Sequence, residues 1–287
     1  MKHALTLSIV IPVYNEESYI GRCLDAIQGQ SVQPMEVIVV DNNCTDRTID
    51  IARQYSFVKV LKEPVQGRTV SRNRGFNAAK GDVIGRIDAD SIIEPGWCDR
   101  LLHDFNDPTV AGVTGLARTR VVIGLKNWYS TFWSRGYFWT VHSFFGVNTM
   151  WGANMAIRRS YWPKISQQTA PNGLKVHEDQ DLSLILLING GKIIQDDNLL
   201  IQTIGASYSY WPKYFSYFMK SIRMKQYHNK LGTFKKLKSQ KLGFWKMLPA
   251  MILGWSITVL FTVYCLLVWP VMAILFKFSP KFRSYAR

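Results

Sequence analysis

The sequence predicts an α/β fold built on a parallel sheet, and three observations predict it. Apolar runs alternate with segments of helical periodicity through the first hundred residues. Those runs are near-continuous, as strands buried on both faces require. Three of them also stop abruptly at polar clusters, the place where such sheets bind ligands. At 287 residues and 47% apolar composition, the chain has ample material for a core and no signature of disorder.

Each element follows from its local pattern. "LTLSIVIPVYN" reads as the first strand, and "ESYIGRCLDAIQGQ" repeats Ile20, Leu24 and Ile27 at helical spacing. "MEVIVVDNN" is a second strand, and "DRTIDIARQY" a second helix with Thr45 as its expected N-cap. "VKVLKE" leads into "RTVSRNRGFNAAKG", a helix expected to close at Gly81. Val83, Ile84 and Ile87 then form a strand that runs straight into Asp88-Ala89-Asp90. In extended backbone, side chains two apart share a face, so Asp88 and Asp90 project together. Such a pair is either a solvated turn or a cation site. Strand one ends in Tyr14-Asn15-Glu16 and strand two in Asp41-Asn42-Asn43, so polar groups from three segments converge on one edge.

Charge is unevenly distributed. The net +15 belongs to the C-terminal part, because the last 90 residues carry 14 bases and no acid. This charge flanks an apolar run rather than decorating base-stacking platforms, so no nucleic-acid partner is expected. Residues 247–276 contain no charge and are long enough to enter a bilayer as one tilted or kinked helix, or as a re-entrant hairpin. Residues 206–246 form a basic juxtamembrane segment and 277–287 a basic tail. Within the former, "YSYWPKYFSYFMKSIRMKQYHNK" is expected to be an amphipathic helix lying in the membrane interface, with Trp211, Phe215, Phe218 and Ile222 on one side. The scattered Cys23, Cys44, Cys98 and Cys265 suggest neither zinc nor disulfides. "MKHALTLSIVIPVYNEE" meets turn residues too early to read as a secretory signal.

The ordered set "SIVIPVYNEESYIGRCLDAI", "EVIVVDNNCTDRT", "GRTVSRNRGFNAAKGDVIGRIDAD" and "HEDQDLSL" resembles the family 2 glycosyltransferases. The resemblance implies a GT-A fold over residues 1–205. A Rossmann-like nucleotide-binding half (1–107) merges there with an acceptor half (108–205), and C-terminal interfacial and transmembrane helices follow. It further implies that Asp88 and Asp90 hold a divalent cation, Mg or Mn, on a sugar-nucleotide pyrophosphate. Asp41 would read the nucleobase edge and Tyr14 lie against the ring; Pro12, Asn15 and Glu16 belong to the same donor site, although Glu16 also suits a cap on the first helix. Arg72 would face the nucleotide, with Arg68 and Arg74 as competitors. Asp179 would take the acceptor's proton, with Glu178 as the second choice, and Asp181 would be a helix-start acid without catalytic duty. "GANMAIRRSYW" is similar to the start of the family's acceptor region, where Gly152 and Asn154 would line the site.

The implied activity is inverting, metal-dependent sugar transfer from a UDP- or GDP-linked donor to a hydroxyl or phosphate. The acceptor is expected to be lipid-linked or a polysaccharide, because residues 108–177 lack acids and interleave aromatic and basic side chains. The expected place is a membrane (the cell membrane in a bacterium) with the catalytic domain cytoplasmic. "RMKQYHNK" stands where processive relatives carry Q-x-x-R-W, so addition of one sugar at a time is expected. A nucleotidyltransferase is the enzymatic alternative, but it would want a glycine-rich, lysine-bearing phosphate loop where "IPVYNEES" stands. A sugar-nucleotide-binding membrane scaffold without chemistry is the other.

Overall fold

The computed structural model describes residues 4–119, 131–174, 176–203, 211–237 and 259. Apart from Val259, the apolar run 247–276 and its tail 277–287 lie outside the described residues. Among the described residues, no helix is long and apolar enough to cross a membrane.

Strand β1 (Leu7–Val13) is buried along almost its whole length and pairs in parallel with β2 (Glu36–Asp41) and β4 (Val83–Ile87); β2 pairs in parallel with β3 (Val58–Lys62). These four make the expected parallel unit in the order β3-β2-β1-β4. Beyond it the sheet turns mixed. Strand β7 (Asn154–Arg158) runs antiparallel to β4 and to β6 (Val110–Thr119), and β6 lies parallel to β8 (Lys192–Thr203). The short β5 (Ser91–Ile93), which directly follows Asp90, crosses to the far edge and pairs antiparallel with β8. The acidic pair thus sits where the chain leaves the parallel unit for the second half of one eight-stranded sheet.

Helices cover both faces. Helices α1 (Ile20–Gln28), α2 (Thr48–Ala52) and α4 (Trp97–Asp104) lie on one side. On the other are α3 (Arg68–Ala78), α5 (Phe132–Phe145), α6 (Trp162–Ile165) and α7 (Glu178–Ile188). Helix α1 shows what holds them. Its Ile20, Leu24 and Ile27 are fully buried, and each such aliphatic stabilises the fold by about 1.5–3 kcal/mol, more than nine residues gain from propensity. Helix α7 ends with Gly190 in the left-handed region just after Asn189. The C-terminal helices α8 (Trp211–Lys230) and α9 (Thr233–Lys236) pack against this second face through buried Met224, His228, Thr233 and Leu237. The four-residue step from Met224 to His228 is one helical face turned toward the domain.

Two expected helix ends are corrected. Thr45 does not cap α2, whose N-cap is Arg47; the Thr45 N–H donates instead to Asn15 Oδ1 at 2.8 Å. Helix α3 stops at Ala78, before Gly81. Gly81 is required for contact rather than termination: a Cβ there would run into the backbone of Ser8, to whose Oγ the Gly81 N–H donates at 2.8 Å.

Candidate active site

The donor edge is built by the strand ends. Strand β1 pairs with β4 only over Leu7–Val10 but continues beside β2 to Val13. Pro12, which has no N–H to donate, lies just past the point where β1 and β4 part. Tyr14 follows with half its surface exposed (52%), and Asn15 takes a left-handed conformation at φ 56°. Asn15 then fastens the loop after β2, and the Cys44 N–H donates to Asp41 Oδ1 at 2.8 Å. The exposed ring and the Asp41 carboxylate thus come from adjacent strand ends, with Val13 opposite Asp41 in the register.

Glu16 is not the cap of α1. That position is held by Tyr19, while the Glu16 N–H donates to Thr48 Oγ1 at 2.7 Å. Its side chain belongs to the acidic cluster: burial, then the charges of Asp90 and Asp88, push the carboxyl up to about 7. Carboxylates that repel one another in partial burial have the oxygen chemistry a hard divalent cation takes. Among the described residues, no group of three or more acidic, His or Cys side chains is close enough to hold a metal alone. Asp88 and Asp90 would need oxygens from outside the protein to complete a cation's shell.

Arg86 joins this cluster to the second one. Its side chain is 5% exposed, and one guanidinium nitrogen lies 2.8 Å from Asp88 Oδ1 and 3.4 Å from Glu178 Oε1. Burial works to raise the Glu178 carboxyl, but Arg86, Arg68 and Arg72 outweigh it and hold the group below the usual carboxylate range. Burial, followed by that neighbouring Glu178 charge, instead raises Asp179. Adjacent carboxylates at the start of α7 are thereby pushed apart in acidity, the pattern that separates a fixed anion from a proton acceptor. Asp179 is held by two N–H donors, Gly152 to Oδ2 at 2.9 Å and Gln180 to Oδ1 at 2.8 Å. Gly152 carries no side chain because Arg86 occupies that space: a Cβ would overlap the guanidinium. The rings of Tyr137 and Trp151 lie 6.1 Å apart beside this group, and Tyr137 accepts a 3.0 Å hydrogen bond from Gln180.

Two expected site residues are corrected. Arg72 is fully buried and donates to the Glu178 carbonyl at 2.5 Å and to Asn73 Oδ1. It fastens α3 to α7 and presents no face to a nucleotide; burial pulls its guanidinium down to about 10. The exposed Arg68, one turn earlier, is the arginine whose charge acts on both Glu16 and Glu178. Asn154 is also sealed. Its amide accepts from Trp97 Nε1 at 2.9 Å and donates to the carbonyls of Leu116 and Leu199, pinning β7 to its neighbours rather than lining an acceptor site. Asp181 is a buried hub rather than an idle helix-start acid. Arg86 is the residue that sequence reasoning missed; its buried position inside β4, two residues before Asp88, was the available signal.

A family model for glycosyl transferase family 2 matches residues 8–164. Among curated proteins, the chain is 36% identical over 107 residues to the putative glycosyltransferase EpsH of Bacillus subtilis (strain 168), covering 36% of this chain and 31% of the relative. It is 35% identical over 101 residues to the glycosyltransferase AglE of Haloferax volcanii, covering 33% of each. The matched stretch thus spans about a third of the length of these relatives. The mannosyltransferase PcManGT from Pyrobaculum calidifontis, solved with GDP-Man and Mn2+, superposes with a TM-score of 0.62 at 16% identity, over 99% of this chain and 84% of that one. S. aureus TarS 1–349 gives 0.55 at 19% identity, over 69% and 60%. These likenesses show the fold, a mixed α/β sheet of GT-A type.

Proposed function

The chain belongs to glycosyl transferase family 2, and from that premise we propose that it transfers a sugar from a nucleotide-linked donor to an acceptor hydroxyl or phosphate, with inversion, one sugar at a time. The observation that carries the proposal is the Arg86 bridge. It joins the acidic pair to the α7 carboxylates, so a donor diphosphate at Asp88 and Asp90 and an acceptor at Asp179 belong to one centre. Tyr14 and Asp41 take the base, by ring contact and by accepting an N–H. Arg68, the first residue of α3, supplies a positive charge that acts on Glu16 and Glu178.

Asp179 takes the acceptor proton as the acceptor oxygen attacks the anomeric carbon from the face opposite the departing diphosphate. The Gly152 N–H orients that carboxylate, while ionised Glu178 keeps it basic. No enzyme nucleophile is needed for a single displacement. A divalent cation at Asp88 and Asp90, when bound, supplies neutralisation of charge on the leaving diphosphate. UDP- and GDP-linked donors both suit an aspartate base reader, and the Mn2+ and GDP-Man bound by the archaeal neighbour support the same donor class. The decisive test is a screen of sugar nucleotides, with and without EDTA, against detergent-solubilised protein and extracted lipid. Asp90→Asn is expected to abolish the metal-stimulated part of turnover; full metal-dependent activity in that variant removes the cation from Asp90.

The acceptor in this proposal is amphiphilic, either a lipid-linked saccharide or a polyprenyl phosphate met at the cytoplasmic membrane face. Three features support it: the uncharged run 247–276, the acid-free last 90 residues, and the aromatic pair Tyr137 and Trp151 beside Asp179. Removing residues 247–287 is expected to release the protein from membranes into the soluble fraction. Retention on washed membranes would assign the attachment to the remaining basic and aromatic segments.

A further inference from the structure

We propose that His228 is a positioning residue for transfer, tying the C-terminal helices to the helix that carries Asp179 and to the loop in front of it. The proposal rests on Asp179 being the proton acceptor. His228 Nε2 lies 2.9 Å from Asp181 Oδ1, and Nδ1 lies 3.0 Å from Thr233 Oγ1. An Nε2–H donated to the carboxylate leaves Nδ1 to accept the threonine hydroxyl, an assignment that satisfies both ring nitrogens. The order carboxylate, imidazole, hydroxyl is that of a hydrolytic relay. Its burial argues against such chemistry: Asp181, His228 and Thr233 are each 1% exposed, so no substrate reaches the hydroxyl. What remains is a fastening, and its far end is informative.

The other Asp181 oxygen accepts the Ala170 N–H at 2.8 Å. Ala170 opens the turn Pro171-Asn172-Gly173, where Gly173 is left-handed at φ 92°. Asn172 Nδ2 donates to the Gln66 carbonyl at 3.3 Å, at the entrance to α3. Helix α3 returns to α7 through the Arg72 bond to the Glu178 carbonyl. One carboxylate thus links α8 and α9, the loop at 170–173, and the first turn of α7 two residues from Asp179. The basic C-terminal arm is built into the catalytic unit rather than hung from it.

The test compares His228→Ala and His228→Gln with wild type in the full-length protein in detergent. UDP-glucose and GDP-mannose serve as donors, extracted membrane lipid as acceptor, and nucleoside diphosphate release gives the rate. Hydrogen exchange is followed in the segment containing Ala170. His228→Ala is expected to lower kcat about 10- to 100-fold, the range for groups that orient a catalytic side chain, with donor KM unchanged and exchange at Ala170 accelerated. His228→Gln keeps an N–H for Asp181 and is expected to restore most of both. An unchanged kcat in His228→Ala overturns the proposal. So does a loss that glutamine does not rescue and that comes with faster exchange throughout the domain. An active Asp179→Asn control would remove the proton-acceptor reading instead, and the Ala170 exchange would then still report whether His228 holds the loop.

Discussion

Asp179→Asn is expected to bind the nucleotide sugar as the wild type does and to transfer about 10²–10⁴-fold more slowly, the span that general-base catalysis contributes. The amide is isosteric, so its oxygen still accepts from Gly152 or Gln180, while the basic lone pair that takes the proton is gone. Calorimetric titration with UDP and GDP checks binding, and release of nucleoside diphosphate checks transfer. Loss of nucleotide binding would reassign Asp179 to the scaffold of α7. The same side chain sets an acid limb. Burial and Glu178 raise its pKa, and only the carboxylate is active. The wild-type rate should therefore fall, as pH decreases, at a value above that of an ordinary aspartate, about 3.9.

Reading the sequence found the buried parallel strands, because burial on both faces leaves a plain apolar signature in "SIVIPV", "EVIVV" and "VIGRI". It singled out the acidic pair and the α7 cluster because carboxylates at strand and helix ends stand out, and the structure brings the two groups together through Arg86. It chose wrongly among Arg68, Arg72 and Arg74, since helical spacing separates faces but does not say which face is buried. Arg72 points inward to a carbonyl 106 residues away, and nothing local encodes that partner. Asn154 misled in the same way, as a polar residue at a suggestive place whose amide is used up by three elements. The crossing of β5 to the far sheet edge was invisible because three residues, Ser91–Ile93, carry too little pattern. His228 was hidden for a different reason. It lies 47 residues from Asp181, within a basic helix whose charge invited a membrane reading, whereas the face holding Met224 and His228 is docked on the domain.

Arg86→Met is the second large effect expected, and it separates the bridge from mere packing. Methionine fills much of the buried volume but leaves Glu178 without its strongest counter-charge. Removing one partner of a buried pair costs about 3–5 kcal/mol, because the remaining charge is desolvated without compensation. The pH dependence follows from the direction of the Glu178 shift. A carboxyl depressed in the folded state contributes stability that is complete above its unfolded pKa and lost as pH falls through its lower folded one. The stability gap between wild type and Arg86→Met should therefore be widest near neutrality and narrow as acid first protonates Glu178 in the variant and then, at lower pH, in the wild type. Denaturant melts across that range measure it. A gap independent of pH would mean that Arg86 acts through shape alone. Arg86→Met is also expected to lose transfer more severely than its stability explains, because Asp88 and Asp179 lose the side chain that holds their two clusters together. Activity retained by variant molecules that remain folded would show that the donor and acceptor halves align without the bridge.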